Sequence, residues 1–207
     1  MQRVRDMKNI IDPDSIVFPM IPSDLVGRIF FYNGKVLRAI YKESCDHITN
    51  LLNSGLISEL VEQKLFPKTE IANYYLSEKY PMIIEHEKIQ TLSLPYEWSF
   101  EMLKDAAIAT IKVNNISNKY GYKVHDCHAS NIMFKDNRPM FVDLGSFVKS
   151  GVGDYGIDSK IFDAQFTIPL RYWAKGYKDI ARSSFLFRNY INEIETVICD
   201  FKMPGLD

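Results

Sequence analysis

The 207 residues predict an α+β fold, and three stretches carry that prediction. Asn33-Gly34 lies between Gly27–Tyr32 and Lys35–Tyr41, both rich in apolar residues. Asn-Gly between such runs signals a hairpin, because both residues accept the positive φ that a tight turn demands. Ser99 stands before a run with helical spacing, and Gly121 follows it, so a helix from Ser99 to about Lys119 has a capping hydroxyl at its start and a stop at its end. A second hairpin is written by Ile132-Met133-Phe134 and Met140-Phe141-Val142 around the turn Lys135–Pro139.

Taken in order, residues 1–22 have no clear period, and Pro13, Pro19 and Pro22 predict an irregular arm. After the first hairpin, Asp46 to Lys64 reads as helix, broken near Asn53-Ser54-Gly55, with Leu56 and Leu60 on one face. Tyr80–Ile84 is a short apolar strand, followed by the charged Glu85-His86-Glu87-Lys88. In the long helix, Phe100, Leu103 and Ala107 fall near helical spacing, and Ala106-Ala107 allows close packing. Ser146 to Gly156 holds three glycines and two serines and is expected to be a mobile loop. Phe162–Ala174 and Tyr177–Cys199 read as two or three helices, with Pro169 interrupting the first. Trp98 and Trp173 are expected as core anchors.

Composition narrows the function. Hydrophobic residues make up 46% and aromatics 13%, which suffices for a core. A formal net charge of −1 removes the electrostatic case for nucleic-acid binding. Three scattered cysteines, Cys45, Cys127 and Cys199, offer no disulfide framework and favour a reducing compartment. The opening MQRVRDMKNIIDPDS lacks the apolar run of a signal peptide, and no window approaches the ~18 apolar residues of a spanning helix. The expectation is a cytoplasmic chain with no membrane span.

The chemistry concentrates in Tyr122–Phe147. The second hairpin folds Asp126 and Asn131, just before it, and Asp143, just after it, onto one edge. His125, Cys127 and His128 have the short spacing of zinc ligands, but no fourth ligand stands at a matching distance. Cys127 is therefore expected to pack inward and His128 to point at a cleft or at solvent.

Asp126-x-x-x-x-Asn131, a hairpin, then Asp143-Leu144-Gly145 resembles the catalytic and metal-binding loops of the protein-kinase-like superfamily, which includes the aminoglycoside- and lipopolysaccharide-kinase-like domains. Ser54-Gly55-Leu56, Leu94–Phe100 and Leu103–Ala107 join that motif in a set. The set is similar to the kinase-like domain that precedes S-adenosylmethionine-dependent methyltransferases in bacterial polysaccharide and nodulation-type loci. The resemblance covers roughly residues 29–172. It implies a two-lobe fold: an arm at 1–22, a small β-rich lobe at 23–90, and a reduced, mainly helical lobe at 91–207. It implies a phosphotransferase using magnesium and ATP on a hydroxyl acceptor, pointing to a sugar or glycan. Asp126 would serve the acceptor hydroxyl, while Asn131 and Asp143 would hold magnesium. Arg38, with Lys42 as the alternative, would steady the phosphates, placed by Glu59 or Glu62. The sequence departs from the pattern in lacking a Gly-x-Gly-x-x-Gly loop and a Val-Ala-Ile-Lys strand. That departure supports the alternative of a pseudokinase module docking to a methyltransferase or glycan-assembly partner.

Overall fold

The computed structural model describes residues 9–19, 25–151, 153–154 and 156–186. Its centre is a four-stranded antiparallel sheet in the order β2-β3-β6-β4, formed by β2 (Gly27–Tyr32), β3 (Lys35–Ile40), β4 (Thr69–Ala72) and β6 (Met82–His86). The β2–β3 turn is Asn33-Gly34, with φ of 48° and 76°. Gly27 is required by close approach: a Cβ there would lie 2.2 Å from the Ala39 carbonyl oxygen.

Side chains alternate across a strand, so the sheet has two distinct faces. Phe30, Leu37, Ala39, Ile83 and Ala72 form one core with Ile11, Leu76 and Tyr80. Ile40 and Ile84 on the other face join a larger core with Leu51, Leu60, Trp98, Leu103, Phe141 and Phe147. The arm is more regular than its prolines suggest. β1 (Asn9–Ile10) pairs in parallel with β5 (Tyr74–Tyr75), and the fully buried Ile11 fixes the arm to the sheet.

The predicted helix break separates α1 (Cys45–Asn53) from α2 (Leu56–Glu62), with Gly55 at φ 90°. The long helix α3 (Phe100–Lys119) starts where Ser99 accepts a hydrogen bond from the Met102 amide at 3.2 Å. Its inner stripe includes Leu103, Ala107, Thr110, Val113 and Asn114, whereas Ile108 and Ile111 face outward. The chain then runs into β7 (Tyr122–Val124) and the hairpin of β8 (Ile132–Lys135) and β9 (Arg138–Phe141).

The loop expected from Ser146 begins instead as a strand. β10 (Phe147–Lys149) pairs antiparallel with β7, because Phe147 is a core residue packed on Phe66 and Phe141. Glycine and serine content gave no sign of that anchor. The chain continues through α4 (Ser159–Phe162), a π-helical turn at Asp163–Thr167, α5 (Ile168–Ala174) and α6 (Lys178–Ser183). Pro169 does not end the helix: it sits just after the π-helical turn, in a helix that runs on through Thr167 with φ −63° and ψ −47°. The part of the last predicted helix beyond 186 lies outside the described residues. No helix among the described residues is long and apolar enough to cross a membrane.

Candidate functional site

The loop between β7 and β8 is held from three sides. Asn114 on α3 accepts the Val124 amide at 3.0 Å. The His125 amide donates to the Ser146 carbonyl at 2.8 Å. The Ala129 amide donates to Gln165 Oε1 at 3.1 Å. Gln165 is buried in the π-helical turn, and the extra residue of such a turn re-aims its side chains.

These clamps present Asp126 to an open cavity of about 300 Å³ that Asp143 also lines. His125, His128, Gly145 and Ser146 contribute to the same wall. Asp126 Oδ1 accepts the His128 amide at 3.1 Å and faces His128 Nδ1 within hydrogen-bonding reach. Burial, the largest single influence, acts to raise the Asp126 carboxyl, but the hydrogen bonds and charge of His128, joined by Asn131, together outweigh it and hold the group below the ordinary aspartate value. Asp126 is therefore a carboxylate at neutral pH and a hydrogen-bond acceptor for an incoming hydroxyl.

Asn131 lies behind Asp126. Its Nδ2 donates to the Asp126 carbonyl at 3.1 Å, and its own carbonyl accepts the Val142 amide at 2.9 Å. The second bond ties the residue before β8 to the residue after β9, so the hairpin closes its two ends on each other. Asp143 caps the turn that follows: Oδ1 accepts the Gly145 amide at 3.1 Å and Oδ2 accepts the Ser146 hydroxyl. Arg38 reaches across from β3, and its Nη2 donates to Asp143 Oδ1 at 3.2 Å.

The other predicted residues lie apart. Lys42 is exposed in the turn after β3. Glu59 accepts from the Tyr120 hydroxyl at 2.6 Å, Lys119 at 3.2 Å and Gln63 at 2.9 Å, which fastens α2 to the end of α3 rather than to Arg38. Glu62 is exposed at the end of α2. Arg38 thus has Asp143 as its carboxylate neighbour, where a helix glutamate was expected.

Ser146 and Gln165 were not singled out for the site by the sequence, and His128 was expected only to point at a cleft or at solvent. For His128 a signal existed: an aspartate turns readily onto the amide two residues ahead. The zinc reading finds no geometry. Cys127 is buried with its thiol on the Asp158 carbonyl at 3.7 Å, and burial pushes that thiol up to about 12. Among the described residues no three His, Cys, Asp or Glu side chains form a cluster able to hold a metal. Asp143 offers a carboxylate on the cavity wall, and Asn131 has an amide oxygen but does not itself line the cavity. These are hard donors of the kind magnesium takes from protein when phosphates supply the rest of its shell.

No family model matches the chain. The nodulation protein NoeA of Rhizobium meliloti (strain 1021) is 26% identical to it over 151 residues, covering 71% of this chain and 31% of that protein. The chain therefore spans less than a third of the length of its relative.

Proposed function

We propose that this chain is a two-lobe, kinase-like phosphotransferase that uses magnesium ATP on a hydroxyl acceptor. The observation that supports it is the single cavity lined by Asp126 and Asp143, with Arg38 arriving on Asp143 from the sheet. In this reading residues 23–90 are the small lobe and 91–207 the helical one. Asp126 accepts the hydrogen bond of the acceptor hydroxyl and takes its proton as the oxygen attacks the γ-phosphorus and the bond to the β-phosphate oxygen breaks, releasing ADP. Asn131 and Asp143 hold magnesium, whose charge offsets that of the phosphates. Arg38 exchanges Asp143 for phosphate oxygens, which its planar fork binds in pairs.

The match to a nodulation protein accords with the resemblance to kinase-like domains of polysaccharide and nodulation-type loci. From it we take a sugar or glycan hydroxyl as the acceptor class. A methyltransferase or glycan-assembly protein is the partner this reading assigns.

One observation favours the docking-module alternative. Both Asp143 oxygens are already engaged, by Arg38, the Gly145 amide and the Ser146 hydroxyl. Calorimetric titration with ATP, with and without magnesium, separates the two readings, followed by transfer of labelled γ-phosphate to a panel of sugars and glycans. Magnesium-dependent binding and transfer support the phosphotransferase. Wild-type protein that binds no nucleotide under either condition supports the module.

A further inference from the structure

A second cavity, of about 350 Å³, shares no lining residue with the first. It lies between the turn after α2, Glu87 just past β6, and the β8–β9 turn. Four cations line it, Lys64, Lys68, Lys135 and Arg138, against two carboxylates, Glu87 and Asp136. Such a concentration stands out in a chain whose formal net charge is −1. Lys135 is paired with Glu87, and Lys68 lies 3.6 Å from Glu70. Among the described residues no acid is paired with Lys64 or Arg138.

Lys64 also occupies a position where a lysine is costly. The Leu65 amide bonds to the Leu60 carbonyl at 2.8 Å and the Lys64 amide to the Val61 carbonyl at 3.0 Å. Those two bonds end α2 in a left-handed turn whose centre is normally glycine. Lys64 holds it with φ 58°, a conformation that disfavours a side chain. A helix stop alone would be better served by glycine; lysine adds a cation to the cavity wall.

We propose that this cavity binds the phosphate group of a small phosphorylated metabolite. Arg138 and Lys64 would contact the phosphate oxygens, and Val61 and Met140 would lie under the body of the ligand. The site is independent of phosphoryl transfer in the first cavity. The test is titration with inorganic phosphate and with glucose 6-phosphate, without magnesium and at constant ionic strength, for wild type, Lys64→Gly, Arg138→Ala and Asp143→Ala. Lys64→Gly is expected to melt no lower than wild type, because glycine suits the turn. Its dissociation constant for phosphate, and that of Arg138→Ala, should be about tenfold weaker, the loss of one charge-assisted contact. Asp143→Ala, which leaves Arg38 without that carboxylate in the first cavity, should still show the binding event that Lys64→Gly and Arg138→Ala weaken. Tighter binding of the ester identifies a phosphorylated metabolite as occupant; equal binding identifies free phosphate. Absence of saturable binding by wild type, or unchanged affinity in both cavity variants, overturns the proposal.

Discussion

At the scale of the residue, His86 gives the sharpest dependence on solution conditions. It is the last residue of β6, buried beside Arg38, with Nδ1 on the Thr69 hydroxyl at 2.9 Å. Burial, helped by the charge of Arg38, pushes it from 6.5 down to about 3. Between those values the unfolded chain takes up a proton that the folded chain refuses, so stability rises with pH through that window and is lost as pH falls. The slope from this one group approaches about 1.4 kcal/mol per pH unit. His86→Gln, which keeps a polar partner for Thr69, should flatten the acid limb in thermal melts between pH 4 and pH 7; an unchanged slope would assign the acid sensitivity to carboxylates. The same residue scale shows the limit of sequence reading. Asp126 and Asp143 were legible because their spacing is set by a hairpin that the sequence announces. The partners of Arg38 and Glu59 were not, since Arg38 meets the loop after β9 and Glu59 the end of α3, long-range contacts that local pattern does not encode.

At the scale of the element, the long helix was written almost completely in its ends, and β10 was not written at all. Ser99→Ala should lower stability by about 1 kcal/mol, the usual worth of an N-cap, measured by denaturant unfolding. A far larger loss is expected at Phe147, fully buried between Phe66 and Phe141. Phe147→Ala should cost about 3–5 kcal/mol and release β10 from β7. Amide exchange would then rise selectively at Val148 and Lys149, with β2 and β3 protected as before. Equal loosening of the sheet would mean that Phe147 serves the core at large and not the strand beside the site. Three residues bounded by glycines and serines are too short to show a period, so only the aromatic side chain could have betrayed this strand. The helix break at Asn53-Ser54-Gly55 was legible for the opposite reason: a glycine at φ 90° leaves its mark in the residue type itself.

At the scale of the whole molecule, the mixed α and β architecture follows from hairpins early in the chain and a capped helix midway. The closing of the site depends on contacts across more than a hundred residues, such as that between Arg38 and Asp143. Under the proposed function the two acids of the cavity would have separate tasks: Asp143 would hold the magnesium-bound nucleotide, and Asp126 would serve the acceptor. Ligand at a hundred times its dissociation constant raises stability by about 2.7 kcal/mol, well within reach of a melting experiment. The most direct test is therefore the ATP-induced melting shift, with and without magnesium, of wild type, Asp126→Ala and Asp143→Ala, each compared with its own ligand-free baseline. A magnesium-dependent upward shift is expected in wild type and in Asp126→Ala, and little shift in Asp143→Ala. A shift of equal size in all three proteins, or none in wild type, would contradict that expectation.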